Sequence, residues 1–148
     1  MSNEDFIVNI SKIKEDAKTP AYAHEGDAGV DLYSTEEYVL KPLQRVLVST
    51  GIKIAVPKGH EAQIRPKSGL ALKHGISIVN TPGTIDAGYR GEIGVIAINL
   101  GDKEFTIEKG KKIAQMVFNR VETAEFKEIS DLDETTRNDS GFGSTGLH

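Results

Sequence analysis

Three observations predict an all-β domain, whether sandwich, barrel or jelly roll. Apolar residues recur with a period of two, the runs are short and rich in Val and Ile, and Gly, Pro, Asn or Asp bounds each run. Ile7, Ile10 and Ile13 open the chain. Val46-Leu47-Val48 comes next, then the alternation Ile52-Lys53-Ile54-Ala55-Val56, stopped by Pro57-Lys58-Gly59. Ala62-Gln63-Ile64, Ile76-Ser77-Ile78-Val79 and Ile93-Gly94-Val95-Ile96-Ala97-Ile98 continue the series. Phe105-Thr106-Ile107 and Ile113-Ala114-Gln115-Met116-Val117-Phe118 complete it. One helical turn or two fits at Ser68–His74, with Ser68 as its N-cap. There is no internal repeat and no low-complexity linker.

The 148 residues suit one domain. A chain of this size buries roughly 70% of its unfolded surface and needs no staples. The absence of cysteine excludes disulfides, thiolate metal sites and cysteine nucleophiles, and it agrees with a reducing cytoplasm. No run approaches the ~18 apolar residues of a membrane span, and the start, Met1-Ser2-Asn3-Glu4-Asp5, is polar and acidic, so no secretory signal is expected. With 18 basic against 22 acidic residues the net charge is −4, which argues against a polynucleotide partner but leaves small anionic ligands open. His24, His60, His74 and His148 show no metal-ligand spacing, and neither a nucleophile elbow nor a Lys-Ser/Thr phosphate loop is present.

Four segments carry candidate chemistry. From Asp131 onward only Leu132, Phe142 and Leu147 are large and apolar. This composition suits a disordered tail, or else a lid that orders over a ligand. For the lid, Gly141, Gly143 and Gly146 allow close backbone approach, Ser144 and Thr145 add hydroxyls, and Arg137 adds a guanidinium suited to phosphate. Phe142 then has a flat ring to cover. Arg65-Pro66-Lys67-Ser68-Gly69-Leu70-Ala71 leads from a strand into the helical turn, where free N–H groups, Lys67 and Ser68 suit an anion. The plainer reading is an ordinary capped turn with an exposed Lys. Asn80 through Gly91 reads as a glycine-rich hairpin. Asp86 either stabilises a turn or holds a water for attack while the hairpin backbone reads a base edge. Asp31 sits inside an apolar run. Such an acid usually faces solvent, but it would also suit a partly hydrated Mg²⁺.

Together these segments resemble the five ordered motifs of the trimeric dUTPases. Ala28-Gly29-Val30-Asp31-Leu32-Tyr33-Ser34 resembles the first, Arg65 through Ala71 the second and Asn80 through Gly91 the third. Gly110-Lys111-Lys112-Ile113-Ala114-Gln115-Met116 resembles the fourth and Arg137 through Gly146 the fifth. Order and spacing agree over nearly the whole chain. The resemblance implies a jelly-roll-like β-barrel with one short helix, residues 1–130, and a flexible C-terminal lid, residues 131–148. It implies a cytoplasmic homotrimer with shared active sites that hydrolyses dUTP to dUMP and pyrophosphate with Mg²⁺. That reaction limits uracil in DNA and supplies dUMP for thymidylate synthesis.

Carried over, Asp86 would orient and activate the attacking water, and Asp31 would hold the metal through water. Lys67, Ser68, Gly69 and Gln115 would contact phosphates. Asn80 and the backbone from Thr84 and Ile85 to Gly94 would read uracil, and Tyr89 would pack on the deoxyribose. Phe142 would cover uracil, with Arg137, Gly143, Ser144 and Thr145 closing on the γ-phosphate. The chain departs from the family pattern where Lys67 and Lys112 replace Arg, and where Asn138 and Ser140 replace glycines of the fifth motif. Lys is a point charge without the bidentate fork. Two rival readings are a dCTP deaminase of the same fold, which needs a Glu where Asp86 stands, and a non-catalytic nucleotide-binding trimer.

Overall fold

The computed structural model describes residues 6–146. Strands β1 (Asn9–Lys12), β2 (Gly29–Tyr33), β3 (Tyr38–Leu40), β4 (Arg45–Ala55) and β5 (His60–Arg65) come first. Helix α1 (Ser68–His74) is followed by β6 (Ile76–Ile78), β7 (Gly83–Ile85), β8 (Glu92–Asn99), β9 (Phe105–Ile107) and β10 (Lys112–Arg120). Two antiparallel four-stranded sheets, ordered β1-β4-β8-β6 and β2-β10-β5-β7, carry the fold, with β3 and β9 as a separate ribbon. This is the expected all-β, jelly-roll-like architecture. Among the described residues no helix is long and apolar enough to cross a membrane.

The period of two does the sorting. Along β8, Ile93, Val95, Ala97 and Asn99 are buried while the residues between them are partly exposed. Ile93, Val95 and Ala97 pack with Leu32, Val48, Ile52, Ile64 and Met116 in one core. Burying the polar Asn99 requires partners. Its Nδ2 donates to the carbonyls of Leu40 (2.9 Å) and Lys103 (2.8 Å), and its Oδ1 accepts from Gly101 N–H (2.9 Å).

Two of the apolar runs fuse into the single strand β4. The Ser49-Thr50-Gly51 segment between them is a bulge: Ser49 faces Gly94, but the next pair is Lys53 with Glu92. Gly51 has φ +71°, and a Cβ there would lie 2.8 Å from Ala17 Cβ, so the bulge needs glycine.

Helix α1 has the expected bounds, but Ser68 is not its N-cap. Lys67 takes that position in extended geometry without a side-chain cap bond, since an ammonium has no lone pair to accept one, and it pairs instead with Asp31. Asn80–Gly91 is not a two-stranded hairpin either. Strand β7 pairs with β5, Ala62 facing Ile85, while β8 pairs with β4 and β6. The turn at 86–91 therefore carries the chain from one sheet to the other. After Arg120 no strand follows, and residues 121–146 are exposed almost throughout, including Phe126, Ile129, Leu132 and Phe142.

Candidate active site

Antiparallel register places three of the sequence motifs in one row. Asp31 on β2 faces Gln115 on β10, which faces Arg65 on β5. Asp31 is buried, against the usual habit of a strand acid. Its Oδ1 pairs with Lys67 and its Oδ2 with Lys112 at 3.0 Å. Burial opposes ionisation of this carboxyl, but hydrogen bonds and charge from the two lysines outweigh it and hold the group below the usual carboxylate range. Gln115 Nε2 donates to the Pro66 carbonyl at 2.9 Å, tying β10 to the segment that presents Lys67. The Arg65 guanidinium is taken up by Gln63 Oε1, at 3.1 and 2.8 Å.

Lys67 and Lys112 line a cleft of about 690 Å³ with Gly69, Lys73, His74 and Lys111, and Glu108 is its one lining carboxylate. Ser68 stands exposed beside it on the first turn of α1. The cleft is cationic in a chain of net charge −4, which suits an anion.

A second cleft, of about 660 Å³, gathers Thr84, Ile85, Asp86, Tyr89 and Gly94. Asp86 follows β7 directly and is exposed. Its carbonyl accepts from Tyr89 N–H at 3.1 Å, and Arg90 Nη1 donates to the Ala87 carbonyl at 2.7 Å, which closes the turn. Tyr89 Oη donates to the Glu92 carbonyl at 2.8 Å. The tyrosine ring lies so close over Gly91 that a Cβ there would sit 2.4 Å from Oη. Strand β7 is an edge strand, so one side of its backbone is free to read a planar ligand. Asn80 lies outside this cleft, with its amide beside Gly83.

The two clefts share no lining residue, and the third group of predicted residues joins neither. Arg137 Nε donates to the Ser140 carbonyl at 2.8 Å within its own loop, and Phe142, Gly143, Ser144 and Thr145 are exposed. Asn138 adopts φ +46°, a conformation Asn tolerates better than most side chains. Sequence reasoning did not find the pairing of Lys112 with Asp31, because a register shift between Lys112 and Ala114 breaks the alternation that would assign its face. It also missed Lys14, Ser49 and Glu92 in the second cleft, which belong to no motif.

The donor set bears on Mg²⁺. Among the described residues no three His, Cys, Asp or Glu side chains cluster, so no all-protein cage exists. Asp31 has both oxygens on ammonium groups, so it offers no oxygen for direct coordination and would meet an ion carried by phosphate oxygens only through that ion's water.

The dUTPase family model matches residues 15–146. The deoxyuridine 5'-triphosphate nucleotidohydrolase of Clostridium novyi is 62% identical over 138 residues, covering 93% of this chain and 97% of that one. The same-named protein of Clostridium tetani is 55% identical over 96% of this chain and 98% of its own. Among solved structures, a mutant Staphylococcus bacteriophage 80alpha dUTPase with dUpNHpp superposes with a TM-score of 0.89 at 27% identity, covering 95% of this chain and 99% of that one. A mutant dUTPase from phage phi11 of S. aureus, whose structure details a structural Mg(II) ion, has a TM-score of 0.80 at 25% identity, over 86% and 99% of the two chains. Matched along nearly its whole length by family model and relatives alike, this chain belongs to the dUTPase family.

Proposed function

We propose that the chain hydrolyses dUTP to dUMP and pyrophosphate by attack of water on the α-phosphorus, with Asp86 as the catalytic base. The observation that carries this reading is the 86–91 turn, which sets Asp86 and Tyr89 in one cleft with the edge backbone of Thr84 and Ile85. The free N–H and C=O groups of that edge, continued toward Gly94, offer hydrogen bonds to the uracil edge, and Asn80 flanks the same strand. Tyr89, held by its bond to the Glu92 carbonyl, packs on the deoxyribose and leaves no room for a 2′-hydroxyl. Asp86 is an exposed carboxylate that accepts a proton from a water and aims the remaining lone pair at phosphorus.

The cationic cleft takes the phosphates through Lys67, Ser68, Gly69 and Gln115. Lys67 reaches them from its place on Asp31, while Lys112 keeps that carboxylate neutralised. Mg²⁺, when bound, offsets the charge of the phosphate oxygens, with Asp31 holding its water shell. A homotrimer, typical of the dUTPase family, would supply the complete site by bringing the Asp86 cleft of one copy to the phosphate cleft of another, the two clefts of a single chain having no lining residue in common. The exposed arm from Val121 onward then brings Arg137, Gly143, Ser144 and Thr145 to the γ-phosphate and Phe142 over uracil.

Hydrolysis in ¹⁸O-labelled water tests this reading. The expected products of dUTP are labelled dUMP and unlabelled pyrophosphate. Label in pyrophosphate moves the attack off the α-phosphorus, ammonia from dCTP indicates the deaminase, and binding without products indicates a nucleotide sensor.

A further inference from the structure

Ser49 of the β4 bulge lines the cleft that also holds Asp86 and Tyr89. The bulge leaves backbone groups outside the ladder, which must find other partners. Glu92 supplies them. Its Oε2 accepts from Gly51 N–H at 2.9 Å and from Ser49 Oγ at 2.5 Å, while Thr50 Oγ1 donates to the Ile93 carbonyl at 2.5 Å. The ammonium of Lys14 donates to Ser49 Oγ at 2.8 Å and to Thr35 Oγ1 at 3.0 Å, and pairs with Glu36 at 3.5 Å. Ser49 N–H donates to Tyr38 Oη at 3.1 Å, and Tyr38 Oη to Glu36 at 2.7 Å. Side chains of β3, β4 and β8 are thus pinned to one another along the wall of the cleft that holds Asp86.

The same residue also holds the tyrosine. Tyr89 Oη donates to the main-chain carbonyl of Glu92, so the carboxylate ties β8 to the bulge while the carbonyl holds the ring. If the bulge slips, Tyr89 and Gly94 move with Glu92, because the three share one short stretch of chain. A carboxylate so placed touches no substrate atom and acts through its neighbours.

We propose that Glu92 is a positioning residue for sugar discrimination: by locking the Ser49–Gly51 bulge it sets the height of the Tyr89 ring that excludes a 2′-hydroxyl. The proposal rests on Tyr89 packing against the deoxyribose. A ring displaced by a fraction of an ångström opens space for one oxygen while leaving Asp86 able to accept a proton.

The test compares kcat and KM for dUTP and UTP in the full-length wild type, Glu92→Ala, Glu92→Gln and Ser49→Ala, with thermal unfolding as a check on folding. Glu92→Ala is expected to lower the dUTP/UTP ratio of kcat/KM by about tenfold or more, since a displaced contact loses its power to reject. Glu92→Gln keeps an oxygen acceptor for Gly51 N–H and Ser49 Oγ, and should return the ratio to within about threefold of wild type. Ser49→Ala removes one donor and should fall between them, which keeps the proposal testable should Glu92→Ala not fold. Parallel loss of activity on both nucleotides with an unchanged ratio would show a merely structural Glu92 and overturn the proposal. A wild type that accepts UTP as well as dUTP refutes the Tyr89 reading, a failure distinct from wild-type discrimination that survives Glu92→Ala.

Discussion

Gly29→Ala should disable the phosphate half of the site while leaving the fold nearly as stable. Gly29 is diagonal to Gln115 across the β2–β10 pair, and a Cβ there would lie 2.5 Å from Gln115 Oε1 and 3.3 Å from its Cβ. The glutamine amide is the free end of a flexible side chain, so it swings away rather than forcing the strands apart. In swinging it gives up the 2.9 Å bond to the Pro66 carbonyl. That loss costs about 0.5–1.5 kcal/mol. Replacing a strand glycine by alanine returns about 0.5–1 kcal/mol of backbone entropy. The net is at most about 1 kcal/mol, or roughly 2–4 °C in Tm for a chain of this length. Catalysis does not share the compensation, because Pro66 precedes Lys67 and Ser68, and a displacement near 1 Å can cost about 10²-fold. The expected result is kcat/KM for dUTP reduced about 10–100-fold with Tm within about 4 °C of wild type. In a double mutant with Gln115→Ala the alanine at position 29 should add nothing further. Full activity of Gly29→Ala, or losses that simply add, would refute the route through Gln115.

Asp86→Asn should bind dUTP as the wild type does but turn it over about 10²–10⁴-fold more slowly; near-normal turnover would remove Asp86 from the chemistry. UTP, dCTP and dTTP should be rejected by about 10⁴ in kcat/KM, since the site is built around hydrogen bonds to its own substrate. Truncation after Thr136 should leave unfolding almost unchanged, because the described residues of that segment bury no core side chain, while abolishing most activity. Phe142→Ala should reproduce part of that loss, stacking on one base being worth about 1–3 kcal/mol. Full activity of the truncated protein would reduce the tail to a disordered end.

Several strands were legible because buried and exposed residues alternate along them, so period two and turn residues mark β5, β6, β8 and β9, and an apolar run marks β10. The fused strand β4 was not, since a bulge at Ser49-Thr50-Gly51 looks the same in sequence as a loop between two strands. The path from β7 to β8 was misread for a related reason. A glycine-rich turn between apolar runs signals a hairpin, and only the pairing of β7 with β5 shows that it crosses between sheets. Ser68 is a good capping residue by type, but the helix starts one residue earlier than that rule expects, with Lys67 in extended geometry as its N-cap. The motifs located Asp31, Lys67, Gln115, Asp86 and Tyr89. They gave no hint that Lys14, Ser49 and Glu92 form a network behind them, because those contacts depend on register across distant strands.

In the proposed trimer one copy of the chain supplies the Asp86 cleft, and other copies supply the phosphate cleft and the lid. This arrangement is tested most directly by mixing two inactive proteins, Asp86→Asn and the truncation after Thr136, under conditions that allow subunits to exchange. Hybrid trimers place an intact Asp86 and an intact tail at the same site in a fraction of assemblies, so the mixture should hydrolyse dUTP faster than either parent, with light scattering giving three times the 16.1 kDa chain mass. A mixture no more active than the average of its parents, or an active species of 16.1 kDa, would contradict a site shared between copies.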